Sequence, residues 1–139
     1  MATNTAGSTA RQLSFQAVHY LRKGFTFADD GSVLTVGVLP AGAQMIPVMS
    51  GVYVRTAFNA GSTNVLDIGT SANDDLYATN LALGTVAFVV IDESASATDV
   101  NGHYVSVDTT ITATVDLTGT AATTGAAEVV IAYIPDNDG

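Results

Sequence analysis

The chain has 139 residues, which suits one domain of ordinary size. Apolar residues make up 47% and charged ones only 12%, so the composition is not that of a disordered chain, and without Cys it can hold no disulfide framework, thiolate nucleophile or Cys-based zinc site. The 4 Lys and Arg against 13 Asp and Glu give a net charge of −9, which argues against nucleic acid as a partner, because phosphate binding needs clustered Lys and Arg.

Residues 1–10 are small and polar. They lack the basic start and apolar stretch of a secretory signal. They read as a flexible arm ahead of a single β-sandwich domain over residues 11–139. Leu13, Phe15, Ala17, His19 and Leu21 then alternate with Ser14, Gln16, Val18, Tyr20 and Arg22, the period of a strand. A helix competes there, because Leu13, Ala17 and Leu21 also share a helical face. Asp29-Asp30-Gly31 is a turn. Ser32 to Leu39 is a strand rich in β-branched residues, and Leu39-Pro40-Ala41-Gly42-Ala43 is a second turn. Met45 to Phe58 reads as one long strand in which Pro47 and Gly51 mark an edge or a bulge.

The stretch from Gly31 to Val54 carries no charge and is long enough to span a bilayer. Pro40, Pro47 and four glycines interrupt it, so two short strands around a turn explain it better than a membrane span. Asn59 to Ser62 turns the chain again, and Asn64 to Ile68 is a short strand. Gly69 to Asn80 is the least regular part. Leu83 to Ile91 is an almost unbroken apolar run rich in Val, expected as a central buried strand. Asp92 to Gly102 is a loop that ends in the tight-turn dipeptide Asn101-Gly102. His103 to Val107 and Thr109 to Leu117 alternate cleanly. In the second of these, Ile111, Ala113, Val115 and Leu117 form one face and Thr110, Thr112, Thr114 and Asp116 the other. After a small-residue loop, Glu128 to Ile134 is the last strand, stopped by Pro135. About eight strands at near-regular spacing, with no long helix, predict an all-β sandwich or barrel of antiparallel strands.

Few residues suggest chemistry. His19 and His103 lie in opposite halves of the chain, each in a strand pattern that suits a sheet surface or rim. No nucleophile elbow, phosphate loop or dinucleotide fingerprint is present. The acid pairs Asp29-Asp30, Asp74-Asp75 and Asp92-Glu93 fall at strand ends or in loops, where they favour turns. Adjacent strand residues point to opposite faces, so such pairs form no acid/base dyad. Asn73-Asp74-Asp75 is the one place where a calcium ion is conceivable, without the twelve-residue loop pattern such sites follow. The sequence therefore predicts no catalytic residues, no metal site, no cofactor and no enzyme.

The charge is segregated. Arg11, Arg22 and Lys23 lie in the first 24 positions, which hold no acid, and everything after Gly24 sets Arg55 alone against all 13 acids, a net −12. Tyr20, Phe25 and Phe27 flank Arg22-Lys23, and aromatic residues beside Arg are common at protein interfaces. Arg11, Tyr20, Arg22, Lys23, Phe25 and Phe27 are thus the candidate interface residues. A basic segment on an acidic body suits acidic partners, including other copies of the chain.

Three segments carry a family resemblance: Ser32 to Ala43 with Val52 to Thr70, Tyr104 to Val115, and Ala127 to Ile134. Together they resemble the cement, or decoration, proteins of tailed bacteriophages, and are similar to the jelly-roll cement protein of a short-tailed phage with an HK97-like capsid. The resemblance runs from Ser32 to Ile134 and rests on strand and turn patterns. It implies a jelly-roll-like β-sandwich and a virion location on the outer capsid surface. It also implies a partner in the major capsid protein, whose neighbouring subunits the protein would clamp against packaged-DNA pressure. Self-association is expected, a dimer before a trimer, and neither nucleic acid nor membrane as a partner. The alternative is a virion-borne or secreted β-sandwich that binds a glycan or host surface.

Overall fold

A computed structural model describes residues 17–91 and 103–136. The arm at residues 1–10, Arg11, the start of the first expected strand, the Asp92-Glu93 pair and the Asn101-Gly102 turn lie outside the described residues. Nine strands run through the rest: β1 (His19–Thr26), β2 (Val33–Leu39), β3 (Gln44–Met45), β4 (Gly51–Thr56), β5 (Thr63–Gly69), β6 (Ala78–Ala82), β7 (Ala87–Val90), β8 (Thr109–Thr118) and β9 (Ala126–Ile134). Only two single 3-10 turns, Phe27–Asp29 and Pro47–Met49, have helical character among the described residues.

The strands form two antiparallel sheets, one in the order β1-β9-β4-β7 with β3 also on β9, the other in the order β2-β8-β5-β6. The pairing is nested. β1 pairs with β9, β2 with β8, β4 with β7, and β5 with β6. The chain is thus one long hairpin with its tip at β5–β6, rolled so that its arms alternate between the sheets. This is the jelly roll, and the expected sandwich of antiparallel strands is what forms.

Alternation explains the core. On β8, Ile111, Ala113, Val115 and Leu117 are buried against Val52, Val54, Val129 and Ile131 of the facing sheet. A sandwich buries one face of each sheet against the other, and period-2 apolar residues supply those faces. Thr112 is also buried, on the outer side of β8. Its ladder partner Gly69 carries no side chain, and a Cβ there would lie 2.2 Å from the Asn73 carbonyl, so the loop after β5 packs down on this spot.

The expected long strand from Met45 to Phe58 is broken where Pro47 and Gly51 stand. Proline withdraws an N–H from the ladder, and the 3-10 turn at Pro47–Met49 separates β3 from β4. Both halves still lie along the same edge of β9, since Met45 is opposite Tyr133 and Gly51 is opposite Val130. The gap is closed by a side chain. The fully buried Ser50 hydroxyl accepts the Ala132 N–H at 2.9 Å and donates to the Ile46 carbonyl at 2.8 Å. Gly51 is required on the other side, because a Cβ would lie 2.1 Å from the Val89 carbonyl oxygen of β7.

Four expectations need correction. The run Leu83 to Ile91 does not form a central buried strand. Only Ala87–Val90 is extended, and it pairs with β4 alone, at the edge. Its apolar residues are partly exposed, and burial falls on the flanking Leu83 and Ile91. The central strand of that sheet is β9, held by β1 on one side and by β3 and β4 on the other. β6 emerges from the stretch read as irregular, because Thr79 and Asn80 dilute its apolar pattern. His103 to Val107 makes only an isolated bridge, between Tyr104 and Gln44. Finally, β1 runs on past Arg22 to Thr26, which carries Phe25 into the core.

Candidate interaction face

The outer face of the β1-β9-β4-β7 sheet collects most of the described basic charge. Two strands on either side of β9 carry the same local pattern, Tyr20-Leu21-Arg22 on β1 and Tyr53-Val54-Arg55 on β4. Side chains two apart on a strand share a face, so both tyrosines and both arginines project from the same side, while Val54 goes to the core and Leu21 packs against it. Glu128 of β9 stands between them. Its carboxylate accepts from Arg22 Nε at 2.6 Å on one oxygen and from Arg55 Nη2 on the other. One acid thereby ties three adjacent strands together. Gly24, the ladder partner of Glu128 on β1, puts no side chain beside the carboxylate.

The result is an open groove of about 450 Å³, lined by Tyr20, Arg22, Tyr53, Arg55, Glu128 and Val130. Tyr53 is backed by Phe88 of β7, with ring centroids 4.4 Å apart. The Glu128 side chain is only 12% exposed, whereas those of Arg22 and Arg55 are 62% and 65% exposed. The acid is therefore spent on positioning. The guanidinium groups face solvent, and each keeps donors beyond the one that Glu128 accepts.

The Arg22 hydrogen bond is the main cause that holds the Glu128 carboxyl below its usual range, and partial burial opposes it. The same contact raises the Arg22 guanidinium. A carboxyl whose folded value is depressed stabilises the fold above its unfolded value, about 4.3 for Glu, and loses that contribution as pH falls through the folded value. Carboxyl NMR should show Glu128 titrating below about 4.3, and Arg22→Gln should move it up toward that value. An unmoved titration in the variant would show that Arg22 is not what depresses it.

The structure distributes the predicted interface residues unevenly. Tyr20 and Arg22 are on the face. Lys23 is exposed but lies opposite the buried Val129, on the inner side of an edge strand. Phe27 is exposed in the 3-10 turn that follows β1. Phe25 is a correction: it is 4% exposed, with its ring 5.6 Å from that of Phe58, and belongs to the core rather than to an exposed interface. Arg11 lies outside the described residues. Tyr53, Arg55, Phe88 and Glu128 were not anticipated. The signal that could have found the first two is the repeated Tyr-x-Arg spacing on two strands.

Most of the other described acids that make hydrogen bonds serve the backbone. Asp29 accepts the Thr26 N–H at 2.8 Å, Asp30 the Leu117 N–H at 3.0 Å, Asp108 the Ala41 N–H at 2.9 Å and Asp67 the Asn80 N–H at 2.6 Å. Among the described residues no group of three His, Asp or Glu side chains is placed to hold a metal ion, and no helix is long and apolar enough to cross a membrane.

No family model matches the chain, and no curated protein matches it either. Two solved structures are similar in fold. A chain of the capsid asymmetric unit of cyanophage Pam1 is 19% identical over 86% of this chain and 84% of its own length, with a TM-score of 0.49. A chain in the acidic stable capsid structure of the Helicobacter pylori bacteriophage KHP30 is 17% identical over 86% of this chain and 90% of its own, also with a TM-score of 0.49.

Proposed function

We propose that this chain is a structural protein of a bacteriophage virion that binds the outer surface of the capsid and clamps neighbouring major capsid protein subunits. The observation that carries a binding role is the Tyr20, Arg22, Tyr53 and Arg55 face. Exposed Tyr and Arg on a rigid sheet are the residue types that dominate protein interfaces, and here they form a cationic patch on a chain of net charge −9. Such a patch attracts carboxylates and backbone carbonyls on a partner. The sequence resemblance of the segments between Ser32 and Ile134 to capsid cement proteins directs that patch to a shell. In this role the protein acts mechanically and needs no catalysis. A subunit that touches two capsid proteins at once gains effective concentration for its second contact, so each contact can be modest when it is repeated over a lattice.

Co-sedimentation with expanded phage shells that lack the protein tests this. The expected result is saturable binding at a fixed ratio to the major capsid protein. Absence of binding at micromolar concentration would remove the proposal. A glycan that binds the groove at sub-millimolar affinity would then favour the alternative, a β-sandwich whose tyrosines cradle a sugar.

A further inference from the structure

Glu128 and Val130 form the floor of the groove on the β1-β9-β4-β7 sheet, and each has a glycine for one ladder partner, Gly24 on β1 and Gly51 on β4. The floor is therefore open on one side of each residue, on a sheet face that side chains would otherwise fill. Tyr20 and Tyr53, both half-exposed, stand beside it, and the Phe88 ring backs that of Tyr53. Arg22 and Arg55 converge on Glu128 from strands on either side of β9.

Two properties of this arrangement select a ligand. The first is charge. Two guanidinium groups around one carboxylate leave a surplus of one positive charge, which balances one further carboxylate. A run of several acids finds no second partner here and meets a chain of net charge −9. The second is the hydrogen-bond inventory. Glu128 gives one oxygen to each arginine and is largely covered, so the groove offers mainly donors: the remaining guanidinium N–H groups and two phenol hydroxyls. A sugar brings hydroxyls that also donate, and those need acceptors. An extended peptide turns backbone carbonyls and a carboxylate, which only accept, toward such a surface.

We infer that the groove reads a single carboxylate on an extended peptide segment of the partner. One Asp or Glu of that segment sits between Arg22 and Arg55, whose planar forks match its two oxygens. An apolar neighbour of that acid lies over Val130, beside Tyr20 and Tyr53. The inference rests on the reading of this face as the binding face and adds the chemistry of what it binds. It also gives Glu128 a second task. Besides positioning the arginines, it sets the charge of the ligand, because the same pair without it would balance a doubly charged group such as a phosphate.

An NMR titration of the full chain tests it. The probe is a short blocked peptide with one glutamate between two valines, compared with the same peptide carrying glutamine. The glutamate peptide should shift the Arg22 and Arg55 Nε–Hε signals and the Val130 amide at roughly millimolar concentration. The glutamine peptide should bind at least about tenfold more weakly, since charge-assisted hydrogen bonds are the strong ones. This comparison uses unmodified protein, so it does not depend on a variant that folds. Glu128→Gln should move the preference toward a phosphoserine peptide, and an unchanged preference would overturn the second task of Glu128. Equal binding of the two peptides, no shift at about 10 mM, shifts confined to other residues, or tighter binding of glucuronate would each overturn the inference. Shells that bind the protein while the peptide does not would leave the capsid proposal standing without it. Peptide binding without shell binding would do the reverse.

Discussion

Replacing Ser50 with Ala should lower stability by about 1–3 kcal/mol, the cost of leaving a buried donor without a partner. The change removes one oxygen and almost no volume, so a purely apolar account of the core predicts little effect. The hydrogen bonds predict otherwise. Between β3 and β4 the chain leaves the edge of β9 in a 3-10 turn, and the Ala132 N–H loses the backbone carbonyl that a continuous strand would offer. The Ser50 hydroxyl takes that place at 2.9 Å and donates its own hydrogen bond to the Ile46 carbonyl at 2.8 Å. Both Ser50 and Ala132 are fully buried, so water cannot substitute. In urea, the unfolding midpoint of Ser50→Ala should fall with the slope unchanged. Ser71→Ala, at an exposed position, should stay within about 0.5 kcal/mol of wild type. Equal midpoints for the two variants would mean that the hydroxyl is not what completes the ladder.

Ser50 also illustrates what a sequence conceals. Pro47 and Gly51 announced an interruption, since each has a backbone property that a regular strand cannot use. Nothing marked Ser50, one of many small polar residues, as the group that repairs it. β2, β5, β8 and β9 were legible because each is long enough to show alternation and has one face in the core. β8 is the clearest case, with four apolar residues inward and Thr or Asp outward. β6 has five residues, one of them left-handed, and its periodicity is lost. β7 misled for a different reason. An unbroken apolar run resembles a strand buried on both faces, yet here the apolar residues border an open edge. The interface was half legible. Tyr20 and Arg22 stood out because the acid-free start of the chain isolates them, and the same criterion overlooked Arg55, which lies beyond that start in the part of the chain that holds all 13 acids. Phe25 followed Arg22 closely enough to be grouped with it, but its position on β1 puts it on the opposite face. Glu128 resembled the other acids, four of which accept backbone N–H groups. Only the register of β9 between β1 and β4 reveals that it bridges two arginines.

Reversing both arginines, Arg22→Glu with Arg55→Glu, should weaken binding to shells by at least 100-fold, about 2.8 kcal/mol. Both arginines are largely exposed, but Glu128 loses its two partners, so binding is compared under conditions where far-UV circular dichroism shows the variant folded. The local charge changes from two cations around one acid to three acids on a single face. A partner chosen for its carboxylates then meets like charge, which costs several kcal/mol at an interface. Arg22→Lys with Arg55→Lys separates charge from shape. Lysine keeps the cation but loses the planar fork that donates two hydrogen bonds at once. If the face reads only charge, the lysine variant should bind like wild type at low salt. If the guanidinium geometry matters, it should lose roughly tenfold, about 1.4 kcal/mol, while its salt dependence stays that of wild type. Tyr53→Ala should add a loss of its own, because it removes an aromatic anchor and the ring that Phe88 packs on. Wild-type affinity in the glutamate variant would exclude this face from the shell contact, and the search would pass to the exposed apolar rim around β7 and to the N-terminal basic segment.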